Sequence, residues 1–320
     1  MTRHAAPRRG FTLIELLVVI AIIAILAGFL VVAIPRVVRS SKNAATSSEI
    51  AQIANAIGTY KSKMNVPYIP SCGGGVDSTG KIPTGLFRLR QQYAGNEPEL
   101  VYLKQVFPQL PYLVGPVNPN DPRYDPLGTG ILRDSDLDCN QTLVFFLTGG
   151  DQTNFQGFST DRRHPFTTPG VGSTESRIGP FLTFPDNRYA AGSAVPWADK
   201  SRPALLDRFG SPFAYFAFNP IVNTYLAPNT KGAYTENQFF MFNGTTVNPY
   251  VLNSKYLEPK GFQLISAGDN GKDDQSTPGT FGFGRGGVTW TPGGGEYAEG
   301  MAGADDLANF NGGGQLITQN

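Results

Sequence analysis

Residues 11–34 are apolar almost without interruption, 24 positions from Phe11 to Ile34 that carry one charge, Glu15. As a helix this run is roughly 36 Å long, enough to cross a hydrocarbon layer of about 30 Å with some tilt. A secretory signal has a shorter apolar stretch followed by a small-residue cleavage site. Here the run is longer, and the small residue, Gly10, precedes it. A plain membrane anchor explains the length but not the acid. A carboxylate inside a membrane helix costs around 2.5 kcal/mol or more and is kept where it finds a partner. Arg3, Arg8 and Arg9 flank one end of the run and Arg36, Arg39 and Lys42 the other, so positive charge does not orient the span.

A cut between Gly10 and Phe11 would supply the partner. It creates an ammonium at Phe11, one helical turn from Glu15, on the same chain or on a neighbour. In a bundle of identical helices, the acid would favour the register that brings it to the next chain's amino end. The stretch "RRGFTLIE" followed by the long apolar helix resembles the class III leader of type IV pilins and type II secretion pseudopilins. The resemblance implies a leader over 1–10 that a prepilin peptidase removes after Gly10. It also implies N-methylation of Phe11, and Glu15 as the acid used in filament assembly. The protein would then be a single-pass protein of the cytoplasmic (inner) membrane, 11–34 in the bilayer and the C-terminal domain extracytoplasmic. Pro35 lies about three residues later than the proline that family members often carry.

Over residues 35–66 the pattern becomes amphipathic. Ile50, Ile53, Ala54, Ile57, Tyr60 and Met64 recur at spacings of three or four, and Pro67 and Pro70 end the helix. Residues 67–203 are rich in glycine and X-Pro steps and are expected to be a loop-rich, surface-exposed insertion, with elaboration of the core sheet as the alternative. Within them, 99–107 reads as a short helix, 142–150 as a buried strand ending at a glycine pair, and 177–184 as an edge strand. In 204–320, "LLDRFGSPFAYFAF" places Asp207, Phe209, Gly210, Pro212 and Tyr215 in a pattern that resembles the D-x-W-G-x-P-x-x-Y signature of the major pseudopilin, with Phe209 in place of the Trp. Its alternation predicts that Phe213, Tyr215 or Phe216 reaches the helix, and 238–242 and 261–268 read as further strands. The expected fold is α+β and pilin-like: a long N-terminal helix, transmembrane and then amphipathic, packed on a C-terminal antiparallel sheet.

The composition argues against several chemistries. Net charge is +1 and becomes slightly negative without residues 1–10, and no basic stripe lies outside the N-terminus, so no nucleic acid is expected. Two cysteines, Cys72 and Cys139, fit no zinc spacing. Outside the cytoplasm they could form one disulfide, worth on the order of 4 kcal/mol in the chain-entropy model; two unpaired thiols are the alternative. His164 is the one histidine after the leader, and no G-x-S-x-G, H-E-x-x-H or phosphate-binding glycine loop is present. No enzyme is expected, and Asp134, Asp136 and Asp138 read as a solvated loop. Asp269, Asn270, Asp273, Asp274, Asp305 and Asp306 have the oxygen chemistry that calcium requires, although Thr280 stands where an EF-hand would close with Glu. "SAGDNG" followed by "GADDL" resembles the calcium loop of major pseudopilins. It departs from that loop at Asn270 and in the glycine-rich residues between its halves.

The expected function is structural: a subunit of a type II secretion pseudopilus-like filament that supports protein export. Its partners would be copies of itself, prepilin peptidase, other pseudopilins and the inner-membrane assembly platform. A type IV pilus subunit for adhesion, motility or DNA uptake shares the leader, and a membrane-anchored binding protein that uses the insertion is the third reading.

Overall fold

The computed structural model describes residues 11–71, 86–93, 97–110, 113–114, 134–149, 155–167, 176–191, 201–228, 234–238, 240–242, 245–269, 290, 297, 299, 301 and 303–317. Residues 1–44 and 45–320 form two compact units, and helix α1 (Leu13–Met64) contributes to both.

In the first unit α1 continues through Pro35. The proline has no N–H, so the carbonyl of Val31 lacks its usual helical donor. Every side chain described from Phe11 to Ser41 is exposed, Leu13 by 81% and Phe29 by 71%. Among the described residues, this is the one helix long and apolar enough to cross a membrane.

In the second unit the expected amphipathic stripe is present. Ile50, Ile53, Ile57 and Tyr60 are buried, while Gln52, Asn55, Thr59 and Lys63 face solvent or lie at its margin. The helix ends at Met64. Asn65 has φ of 53°, a left-handed conformation that Asn tolerates, and Pro67 follows. Two phenol hydroxyls then hold the exit loop by its carbonyls: Tyr102 donates to Tyr68 O at 2.8 Å and Tyr215 to Ile69 O at 3.0 Å.

The central sheet is antiparallel and three-stranded. Ala214–Ala217 pairs with Phe262–Ser266, Tyr215 opposite Leu264, and the latter strand also pairs with Leu307–Ala308. Short two-stranded ladders surround it, including Phe87–Leu89 with Ser135–Leu137, Tyr189–Ala191 with Pro203–Leu205, and Phe240–Phe242 with Thr245–Val247. The expected strand at 238–242 therefore exists at 240–242, but in its own hairpin rather than in the central sheet. The edge strand expected over 177–184 is confined to Arg177–Ile178, paired with Phe158–Ser159; the cis Gly179–Pro180 bond follows it.

Helix α2 (Pro98–Val106) matches the short helix read from the sequence and starts with proline at its first turn. Helix α3 (Cys139–Thr148) corrects the reading of 142–150 as a strand. An apolar run buried on every side has no period to reveal its conformation, so its ends decide. Asp138 accepts from Gln141 N at 2.8 Å while the Gln141 side chain accepts from Asp138 N at 3.1 Å, a closed capping box. Gly149, at φ of 93°, stops the helix in the left-handed region.

The described part of 67–203 is not a separate, surface-exposed domain. Leu89, Leu103, Leu137 and Phe146 share one buried cluster with Ile53 and Ile57 of α1 and with Tyr215 and Leu264 of the sheet. Phe146 of α3 joins the parts, its ring centroid 5.8 Å from Tyr60, 5.4 Å from Tyr102 and 5.4 Å from Phe87. The latter two contacts are edge-to-face, the geometry that aromatic quadrupoles favour. Amide side chains close gaps that no strand fills, because each carries one acceptor and a donor pair. Gln238 takes Ala217 N at 3.0 Å and returns a bond to Ala217 O at 2.6 Å. Asn140 of α3 does the same for Leu205 and also donates to Phe213 O.

One buried ion cluster ties α1 to residues 188–208. Glu49 is 1% exposed and receives both terminal nitrogens of Arg188, one at 2.8 Å, together with Arg208 Nε at 2.5 Å. Arg188 also donates to Leu206 O and lies 5.6 Å over the Phe184 ring. Removing the acid strands a buried guanidinium. Glu49→Ala is therefore expected to cost about 3–5 kcal/mol, and Arg208→Ala, whose side chain is 44% exposed, about 1 kcal/mol or less. Chemical denaturation of the full chain in detergent, followed by near-ultraviolet circular dichroism, measures both.

Candidate processing, assembly and cation sites

The start of α1 is built by the first residues after the expected cleavage point. Gly10 lies outside the described residues, and Phe11 is exposed. Thr12 occupies the N-cap. Its N–H and its hydroxyl both donate to Glu15 Oε2 at 2.8 Å, and its hydroxyl accepts from Glu15 N at 3.3 Å. This is a reciprocal capping box, T-x-x-E, readable in the sequence but missed by a reading that sought the partner of Glu15 in the Phe11 ammonium of the same chain or of a neighbour. Both bonds to the carboxylate fall on one oxygen. Among the described residues, Glu15 Oε1 takes none, so capping leaves half of the carboxylate for a second partner.

The "DRFGSP" turn shows what the signature residues do. Asp207 Oδ1 accepts from Phe209 N at 2.8 Å and Ser211 N at 2.9 Å, an Asx-type closure in which the side chain substitutes for backbone. Gly210 supplies φ of 90°, and Phe209 is buried where the signature has Trp. Asp207 Oδ2 accepts from Ser266 Oγ at 2.6 Å, which fastens the turn to the central strand. Burial pushes the Asp207 carboxyl up to about 6, against the bonds from Ser266, Ser211 and Phe209 that favour its charged form.

Ser266 leads directly into the expected cation loop. Gly268 has φ of 64°, and a Cβ there would come 2.3 Å from Asp305 O and 2.8 Å from Asp305 Oδ2. The two halves read from the sequence, 266–269 and 303–306, are thus pressed together, and only glycine permits it. Asp305 is 5% exposed and Asp306 is fully buried. Asp306 Oδ2 accepts from Tyr250 Oη at 3.1 Å. Asp269, beside Gly268, is exposed. Asn270, Asp273 and Asp274 lie outside the described residues. Among the described residues no group of three or more His, Cys, Asp or Glu side chains could hold a metal. Two adjacent buried carboxylates against a left-handed glycine nevertheless supply oxygen donors of the kind a hard cation takes.

The other candidates have local roles. Asp138 caps α3, Asp134 Oδ1 accepts from Gln91 N at 2.7 Å, and Asp136 pairs with Arg90. The acidic run is therefore not a solvated loop: it fixes one strand end and one helix start. His164 lies in an exposed turn, its Nδ1 2.8 Å from Asp161 Oδ2. Among the described residues no hydroxyl or thiol hydrogen-bonds to its ring. Cys139 is buried in the first turn of α3; Cys72, its expected partner, lies outside the described residues.

The family model described as prokaryotic N-terminal methylation motif matches residues 6–31. No curated protein and no solved structure matches the chain. The match spans Gly10, Phe11, the Thr12–Glu15 capping box and most of the exposed apolar half of α1. The family is defined by a processing and methylation motif, not by a catalytic one. Over residues 6–31, then, this chain carries the prokaryotic N-terminal methylation motif of a class III prepilin leader, and that motif is consistent with the type IV pilin and pseudopilin family.

Proposed function

We propose that this chain is a subunit of a type II secretion pseudopilus-like filament. It is stored in the cytoplasmic membrane with its C-terminal domain outside the cytoplasm. Prepilin peptidase removes residues 1–10 and methylates Phe11, and the subunit is then drawn into a filament that supports protein export. Copies of the chain, other pseudopilins and an inner-membrane assembly platform are the partners. The observation that carries the reading is the methylation motif lying on a helix whose apolar side chains the folded chain leaves exposed. Lipid covers them before assembly and neighbouring copies cover them afterwards. Glu15 then serves two partners, Thr12 of its own chain through Oε2 and the Phe11 ammonium of a neighbour through Oε1.

The choice of a secretion pseudopilus over a type IV pilus is supported by the Asp207–Tyr215 turn and by the contact of Gly268 with Asp305. We assign calcium to this corner, held by Asp305, Asp306 and Asp269 with Asn270 and Asp273 from the residues that follow Asp269. The ion would bridge the two halves and fasten a C-terminal segment poor in apolar side chains.

N-terminal sequencing of the mature protein from the native membrane is expected to begin at N-methyl-Phe11, and chains that keep residues 1–10 would overturn the processing. Calcium is expected to raise the unfolding temperature of the full chain in detergent, an effect lost in Asp305→Asn. Identical unfolding temperatures in calcium and in chelator would remove the cation from the account.

A further inference from the structure

Helix α1 passes through Pro35 without a break and carries Arg36, Arg39 and Lys42 immediately beyond the apolar run. A step of three residues turns a helix by about 300°, so the three cations lie within roughly 120° of one another and form a one-sided stripe. Arg36 and Arg39 are exposed. Val37, 67% exposed, lies on the opposite side of the helix. No acid occurs between Glu15 and Glu49, so this length of helix brings no carboxylate of its own to the stripe.

Height along the helix places these groups against the membrane surface. With Ile34 at the edge of the hydrocarbon, a rise of about 1.5 Å per residue puts Arg36 about 3 Å and Arg39 about 7.5 Å beyond it. The polar layer of one leaflet is roughly 5–8 Å deep, so both arginines fall at the level of the headgroups. Lys42, about 12 Å out, reaches back toward that layer along its alkyl stem. Phosphate is the group that the headgroup layer offers there, and a guanidinium fork matches phosphate oxygens in pairs. A zwitterionic headgroup brings its own cation to the same phosphate, whereas an anionic one does not. Charge therefore decides which lipid the stripe prefers.

We propose, on the membrane-spanning reading of residues 11–34, that this stripe docks on anionic phospholipid headgroups in the leaflet where the span ends. The stripe fixes the depth of the stored subunit and gives its outer end a lipid preference. Drawing the subunit into a filament must then break these contacts.

The test uses the full chain in vesicles of equal phosphatidylglycerol and phosphatidylcholine. Washing with alkaline carbonate first establishes whether the chain spans the bilayer. Mild detergent then releases it, and native mass spectrometry counts the lipids that stay bound. Phosphatidylglycerol is expected to be retained over phosphatidylcholine by at least about fivefold, the effect of a single cation at an anionic surface. Arg36→Gln/Arg39→Gln/Lys42→Gln is expected to lower that ratio by the same factor or more. Arg36→Lys/Arg39→Lys is expected to keep it, because the preference follows charge. The arginines of residues 1–10 are common to all three proteins, so the comparison isolates the stripe. A ratio near one in the unsubstituted chain, or one that the glutamines leave unchanged or the lysines abolish, overturns the proposal and leaves the span intact. A chain that carbonate strips from the vesicles overturns the span itself, and the proposal with it.

Discussion

From Phe11 to Ser41 every described side chain is exposed, and nearly all of those up to Ile34 are apolar. Exposed apolar surface costs about 25 cal/mol per Å² in water, so a helix of this composition persists only where something other than water covers it. The cover must be lipid or other protein, and a single acid four residues after Phe11 must be tolerated in either. The capping box explains how the acid is tolerated. Thr12 engages one carboxylate oxygen within the chain, which lowers the cost of Glu15 in an apolar setting, and leaves the other oxygen for a partner. Capping and intermolecular pairing are therefore compatible uses of the same side chain.

The second unit is held by a different principle. Its central sheet has three short strands, too little ladder to satisfy the backbone around it. Side chains complete the hydrogen bonding instead. Gln238, Asn140 and Asp207 each stand in for a missing strand or turn. Gln263 does the same for Tyr250, whose N–H it accepts at 2.6 Å and whose carbonyl it returns to at 2.9 Å. Around this frame the aromatic rings fill space: Phe146 meets Tyr102 and Phe87 edge-to-face and Tyr60 at a tilt, one group that connects α1, α2 and α3 to a flanking ladder. The buried Glu49–Arg188 pair is costly to break, because removing either partner leaves the other charge buried without its counter-charge.

What was legible in the sequence follows from the range of each interaction. The apolar run and the amphipathic stripe from Ile50 to Tyr60 are local patterns, and both appear where they were read. The proximity of 266–269 and 303–306 was also anticipated, from a resemblance and not from spacing. Helix α3 was misread because Leu143–Leu147 is apolar on every face, although Asp138, Gln141 and Gly149 already marked its ends. Thr12 was overlooked for a different reason: a charge in an apolar helix directs the search to an opposite charge, the Phe11 ammonium, rather than to the neutral hydroxyl three positions earlier. Glu49 with Arg188, and Asn140 with Leu205, had no sequence signal at all. Each joins residues far apart in the chain through a buried polar contact that only the assembled core creates.

The claim that most needs direct measurement is that Glu15 sets how copies of this helix align. Glu15→Gln preserves size and can still accept from Thr12, so the cap survives while the charge is lost. Electron microscopy of cells expressing this variant, with membrane fractionation beside it, separates the two roles. The account predicts correctly processed, membrane-retained subunits and few or no filaments. Filaments as abundant and as regular as those of the unsubstituted chain would contradict it.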